Sequence, residues 1–482
     1  MASEPLTLLD LDTTQPRYYD KRVLESIDRG FTSLLVILTT FAGIVIARVA
    51  THRLCTRYSP TICYLVEFPL IVLPGILFVT VASGYSAVFV GIVTVAFLGL
   101  IVVTGSLSRA RCRAHFDLGK RPMVLTIVRA LTQLITAICI LAIDFESFHR
   151  PYRKSRLFGA QLMDTGIGLF VVTMGLVSRR PRNCADLKRS LLHSALPLIL
   201  LGFARTLALE LIGYGQDERE YGKHLNAFFT LGFTKFLGSL LCFVPRNDFQ
   251  LLPLASALLV THQLGLSFGG IMDYVIDDDL ERNSFLSANR EGLLSLPGFV
   301  CIYMLSIYLS RWLVAKTLLS YAEMVRKLRY FGAFALFCWL LMVLGANAVG
   351  ISRVTCNMGY VFWMIAITST MVWLTMFIFD FIISTVMPLD TSVALVESVE
   401  KGSSNVRTAS PDKGSGVFLI CESLNMNGLT FFLLANVLTG GVNIFLSPED
   451  RSDFTSIIIL LLYMLLATFV VFQLYMRRIR IA

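Results

Sequence analysis

Long apolar runs recur along almost the whole chain, separated by short polar or charged segments. Crossing a bilayer as a helix takes about 20 predominantly apolar residues. On that basis the pattern predicts about thirteen helices, starting near residues 31, 63, 86, 122, 160, 190, 226, 249, 293, 330, 359, 428 and 455. The expected fold class is all-α, a polytopic transmembrane helical bundle. The stretch Gly359–Val386 is long enough to cross with tilt or to run past the membrane. The eighth helix holds the polar pair His262–Gln263, and the twelfth holds Asn436 and Asn443. Four regions follow: an N-terminal segment (1–30), a transmembrane core (31–388), a linker (389–424) and a C-terminal pair of helices (425–482). The linker is Ser/Gly/Lys-rich over Lys401–Gly416 and reads as disordered.

Composition agrees with a bilayer solvent. The 482 residues are 55% hydrophobic and 16% charged, with mean hydropathy +0.69. Soluble domains carry roughly 25% charged residues. The net charge of +9 does not point to nucleic acid, because the cations sit in short clusters between apolar runs. The ten Cys form no CxxC pair, and Cys139, Cys242 and Cys301 lie inside apolar runs, which argues against a structural metal or a disulfide framework. The first 29 residues include Glu4, Asp10, Asp12, Asp20 and Glu25, unlike a cleavable signal peptide.

Loop charge gives an orientation. One alternate set of loops carries Arg53 and Arg57; Arg109, Arg111, Arg113, Lys120 and Arg121; Arg179, Arg180, Arg182, Lys188 and Arg189; and Arg326, Lys327 and Arg329, and the tail ends with Arg477, Arg478 and Arg480. Positive loops face the cytoplasm. The other set holds the acidic N-terminus, Asp217, Glu218 and Glu220, and Asp273 with Asp277–Asp279. An odd helix count then puts the N-terminus outside and the C-terminus in the cytoplasm.

Ionisable residues at membrane depth are costly and often functional. Asp144 ends the fourth helix, with Arg150, Arg153 and Lys154 soon after. A carboxylate there serves either as a base tuned by those cations or as a solvated helix-end charge. Asp164 sits one turn into the fifth helix, as a site residue or a hydrogen-bonded packing residue. Arg205, inside the sixth helix, grips a phosphate or carboxylate, or else pairs with Glu210 or a neighbouring helix. His224 stands in the following polar loop, where a lone His is ordinarily structural. Asn289, Arg290 and Glu291 form a compact triplet before Gly292, which permits close backbone approach, and Ser287 or Asn289 also suits a helix cap. Asn425, Asn436, Thr439, Gly440 and Asn443 lie on or near the twelfth helix and also suit close helix packing. The first three segments fall on the non-cytoplasmic side, which proposes one site there. No GxSxG, HExxH or Walker motif is present.

At these residues the sequence resembles the glycosylphosphatidylinositol (GPI) inositol-acyltransferase family, the PIG-W type. The similar stretches are Ala142–Phe145 with Phe148, Arg150 and Lys154; Met163–Gly168; Glu220–Thr230; Leu286–Gly292; Ser352–Arg353; and Phe431–Gly440. They cover most of the chain from the fourth helix onward. His149 and Pro151 depart from the family pattern, as does Leu225, where the family has an aromatic. The resemblance implies an endoplasmic reticulum membrane enzyme that moves a fatty acyl chain, typically palmitoyl, from acyl-CoA to the inositol 2-hydroxyl of glucosaminyl-phosphatidylinositol. It implies a lumenal site, acyl-CoA as co-substrate with no other cofactor, no metal, and membrane lipids as partners. The expected catalytic pair is Asp144 as general base, with Lys154 holding it or stabilising the oxyanion. The expected substrate-binding set is Arg150, Asp164, Arg205, Tyr221, His224, Asn226, Asn289, Arg290, Glu291 and Asn436. By composition alone a lipid or solute transporter remains an alternative, as does a non-catalytic subunit of a lipid-modifying complex.

Overall fold

A computed structural model describes residues 16–52, 54, 58–113, 115–119, 122–212, 218–277, 279–387 and 418–481. Thirteen helices carry the architecture: α1 (Pro16–Thr51), α2 (Pro60–Val79), α3 (Ser86–Thr104), α4 (Met123–Ala142), α5 (Thr165–Val177), α6 (Leu196–Ile212), α7 (Ala227–Phe243), α8 (Leu251–Phe268), α9 (Leu296–Val314), α10 (Tyr321–Val349), α11 (Met358–Thr375), α12 (Gly428–Leu446) and α13 (Asp453–Met476). The all-α class is as the sequence implies, and the described strands are a two-residue ladder pairing Phe116–Asp117 with Leu318–Leu319.

Length separates these helices into two groups. Among the described residues eleven are long and apolar enough to cross a membrane. The other two expected crossings are shorter, Leu162–Val177 around α5 and Ala227–Phe243. At 1.5 Å per residue the 17 residues of α7 rise about 25 Å, against a hydrocarbon core of about 30 Å. A count of thirteen full spans is therefore not met by length. Two boundaries also differ from expectation. The helix that opens the chain is already helical at Pro16, because helical backbone need not stop where the apolar run does. The expected linker lies outside the described residues up to residue 417, but its end is the helix Leu419–Met426. Glu67 of α2 accepts from Ile420 N at its N-terminal end (3.2 Å), which anchors the chain as it re-enters the bundle.

Loop-to-loop contacts sort the connections into two ends. At one end, besides the strand ladder, Arg180 bonds Asp248 (2.7 Å) and Arg246 O (3.2 Å), Arg113 reaches Ser384 O (2.8 Å), and Asn427 Nδ2 donates to Ile479 O (2.9 Å). The basic loops of the sequence thus gather together. At the other end Gly159 N donates to Ile351 O (2.8 Å), Lys223 N to Ala288 O (2.8 Å) and His149 N to Val79 O (3.2 Å). The segments singled out for their polar residues meet here.

Candidate functional site

Asp164 organises the inner layer of this end. Its carboxylate, wholly buried, accepts from Ser155 N (3.1 Å), Gln161 N (3.3 Å) and Arg353 Nε (3.1 Å). Its backbone oxygen accepts from Tyr360 OH at 2.7 Å. One carboxylate therefore fixes the α4–α5 loop, the start of α5 and the α10–α11 loop together. That last loop is held from a second side. Asn357 caps α11 and donates to Val349 O and Gly350 O (both 3.1 Å). His262 Nε2 lies 3.0 Å from Thr355 O, and Gln263 Oε1 accepts from Met358 N at 2.9 Å. The polar pair that weakens α8 as an apolar run is a clamp on the loop carrying Arg353. Replacing His262 by Leu orphans a buried carbonyl and is expected to cost about 1–3 kcal/mol, read as lowered resistance to thermal unfolding.

In front of this layer lies a cavity of about 270 Å³. Its wall is apolar, built from Ile135, Cys139 and Ile140 of α4, Ile167 and Phe170 of α5, Phe228 and Leu231 of α7, and Phe432 of α12. Its charged lining is Lys154, Arg205, Glu220 and Arg353, with Tyr221 and Asn436 beside them. Lys154 Nζ sits 2.5 Å from Glu220 Oε1. Burial alone would raise the pKa of Glu220, but Lys154 and Arg353 beside it outweigh burial and hold the carboxylate below its usual value. Three lining cations meet two carboxylates, Glu220 in the lining and Asp164 behind it, which leaves one positive charge over. An apolar trough with a cationic rim suits an amphiphile with an anionic head.

Asp144 stands just past the end of α4, next to cavity-lining Ile143. Its Oδ2 accepts from Asn443 Nδ2 of α12 at 2.9 Å. Burial raises its pKa, the Asn443 hydrogen bond lowers it, Glu449 raises it and Arg153 lowers it, and the net direction is up. A carboxyl so placed is a stronger base than a free one.

The structure brings Lys154, Arg205, Tyr221 and Asn436 to one cavity and keeps the other expected residues apart from its lining. Lys154 does not hold Asp144. Its partner is Glu220, because the turn Arg150–Tyr152 and the buried Phe148 and Tyr152 lead the loop across to the α6–α7 segment. Arg150 is exposed on that turn. Asp164 grips Arg353 rather than lining the cavity. Asn226 caps α7, accepting from Phe228 N (3.0 Å), and ties it to α6 through Gly202 O (2.9 Å). Asn289 accepts from His224 N (2.8 Å) and Leu225 N (3.2 Å), while His224 pairs its ring with Asn289 (3.2 Å) and stacks on Phe285. Arg290 is wholly buried, bonded to Asp277 O and to Leu280 O (3.4 Å), and Glu291 pairs with Arg282 (2.6 Å). None of the three lines the cavity. Gly292 does permit close approach: a Cβ there would lie 2.4 Å from Tyr221 O, so the triplet seats the strip that carries Glu220 and Tyr221.

Glu220, Arg353 and Asn443 were not in the expected site. Glu220 and Arg353 stand in the Glu220–Thr230 and Ser352–Arg353 stretches, and Asn443 belongs to the polar face of the twelfth helix. A charge at the edge of an apolar run was the available signal for the first two.

Comparison with known proteins agrees with this geometry. Residues 29–474 match the family described as GWT1. The chain is 31% identical to GPI-anchored wall transfer protein 1 of Schizosaccharomyces pombe, over 74% of this chain and 72% of that one. It is 26% identical to glucosaminyl-phosphatidylinositol-acyltransferase PIGW of Mus musculus, over 85% of this chain and 87% of the mouse protein. An uncharacterised Arabidopsis thaliana protein is 30% identical over 82% and 83%. With a match running from α1 to α13 and through every loop of the cavity, the chain belongs to the GWT1 family.

Proposed function

We propose that this chain is a membrane-bound acyltransferase of GPI-anchor biosynthesis. It moves a fatty acyl chain from acyl-CoA to the inositol 2-hydroxyl of glucosaminyl-phosphatidylinositol. The observation that carries this reading is the cavity with an apolar wall and a rim of Lys154, Arg205 and Arg353, in a chain whose relatives include named glucosaminyl-phosphatidylinositol acyltransferases. The acyl chain lies in the trough between α4, α5, α7 and α12. The phosphates of donor or acceptor meet the three cations. Asp144 takes the proton of the 2-hydroxyl, and the oxygen attacks the thioester carbonyl. A C–O ester bond forms as the C–S bond breaks, and the CoA thiolate leaves and takes up the proton. Lys154, set by Glu220, stabilises the developing oxyanion. The thioester is already activated, so the reaction needs no covalent enzyme intermediate and no further cofactor.

The basic end belongs in the cytoplasm by the positive-inside rule. That orientation gives a site on the lumenal face of the endoplasmic reticulum membrane, a lumenal N-terminus and a cytoplasmic C-terminus. The test is to give purified protein labelled palmitoyl-CoA and glucosaminyl-phosphatidylinositol. Formation of an acylated, phospholipase-C-resistant lipid is the expected result. Movement of labelled lipid across sealed vesicles without that product would overturn the reading in favour of transport.

A further inference from the structure

Asn443 lies seven residues beyond Asn436 on α12, hence on the same helix face and about 10 Å further along the axis. Asn436 lines the cavity, and Asn443 reaches Asp144. Donation from Nδ2 to the Asp144 carboxylate fixes the orientation of the amide, since the reverse would set its oxygen against the carboxylate. Asn443 Oδ1 is then turned away. It is shielded from solvent and has no hydrogen-bond partner among the described residues. Ser147 Oγ, three residues after Asp144, is in the same state. A buried acceptor left without a donor is a cost that a folded chain ordinarily removes. Here one such atom belongs to the side chain that holds the carboxylate.

Resting on the inositol-acylation reading, we propose that Asn443 is an acceptor-binding residue whose Oδ1 takes a hydrogen bond from the inositol 3-hydroxyl while Asp144 faces the 2-hydroxyl. Of the two ring carbons flanking C2, one carries the phosphodiester. The other bears the 3-hydroxyl, which is free and cis to the 2-hydroxyl. A cis vicinal diol carries two O–H donors on neighbouring carbons, and the Asp144–Asn443 pair carries two acceptors on side chains joined by one hydrogen bond of 2.9 Å. The amide N–H holds the base, and the amide oxygen sets the ring so that the 2-hydroxyl meets it. The 3-hydroxyl keeps its proton throughout. A site built this way selects the regiochemistry of acylation through the neighbour of the reacting group.

The test compares glucosaminyl-phosphatidylinositol with its 3-deoxy-inositol analogue, using the full chain and its Asn443→Ala variant with palmitoyl-CoA as donor. For the unaltered chain the analogue is expected to lose on the order of tenfold to a hundredfold in acceptor kcat/KM. In Asn443→Ala the parent acceptor falls by a similar factor or more, the analogue's further loss disappears, and the KM for palmitoyl-CoA stays the same. That disappearance is what a merely structural Asn443 would not produce. Equal use of both acceptors by the unaltered chain overturns the proposal even if the variant does not fold. A penalty that persists undiminished in Asn443→Ala also overturns it, by placing the contact elsewhere. Absence of product from the parent acceptor with the unaltered chain sinks the inositol-acylation reading itself, and this assignment with it.

Discussion

Asp144→Asn is expected to leave the chain folded and to lower the rate of acyl transfer by about 10²–10⁴, the usual loss when a positioned general base is removed. The substitution keeps the shape of the side chain and removes its ability to take a proton. Asn443 Nδ2 keeps an oxygen to donate to, so the contact between the end of α4 and α12 survives. Loss of rate with unchanged thermal unfolding is therefore the signature. A wild-type rate in Asp144→Asn would reject the assignment. The pH profile gives a second reading. Burial raises the Asp144 pKa, and Glu449 adds to that, while Asn443 and Arg153 oppose it. Only the ionised form is a base, so the acid limb of the profile is expected at higher pH than a free aspartate would give, with activity rising as pH increases through it. Glu449→Gln removes a like charge and moves that limb to lower pH. Whatever rate remains in Asp144→Asn lacks it.

The largest effect on stability is expected at Asp164. Asp164→Leu strands Arg353, whose side chain is 4% exposed, without its carboxylate partner, and strands Ser155 N and Gln161 N as well. Breaking one half of a buried pair costs roughly 3–5 kcal/mol. Burial lowers the Arg353 pKa, and Tyr221, Asp164 and Glu220 outweigh it, so the net direction is up. The double variant Asp164→Leu with Arg353→Met replaces both charges by apolar groups and is expected to recover much of the loss in thermal unfolding, while still failing to acylate. Equal stability of Asp164→Leu and the unaltered chain would show that the ion pair does not hold the three loops together.

Most of the helices were legible in the sequence because eleven of the described ones are long and apolar enough to match a bilayer. Cationic loops recur on alternate connections, and described loops of that set touch one another at one end of the bundle. The pairings inside the site were not legible. Lys154 follows Asp144 by ten residues, so chain proximity suggested the two as a pair, yet the loop turns at Arg150–Tyr152 and delivers the ammonium to Glu220, 66 residues on. Arg353 and Asp164 are 189 residues apart, and nothing local marks them as partners. The Asn289–Arg290–Glu291 triplet looked like a site because charge at membrane depth is unusual. Its charges are instead spent on neighbouring carbonyls and Arg282. Intramembrane polarity did not distinguish the residues that face the cavity from those that pack behind it.

The two helices too short to cross, α5 and α7, are also two of the walls of the cavity. A helix that stops short of the hydrocarbon edge leaves lipid on that side to thin or tilt. The water-facing boundary is then expected to dip inward beside the cavity. On the proposed function, a glycolipid approaching along the leaflet would follow that slope and bring its headgroup to Lys154 and Arg205 without its tails leaving oil. The acyl ester, once made, would then lie at a depth where a third chain can join the other two.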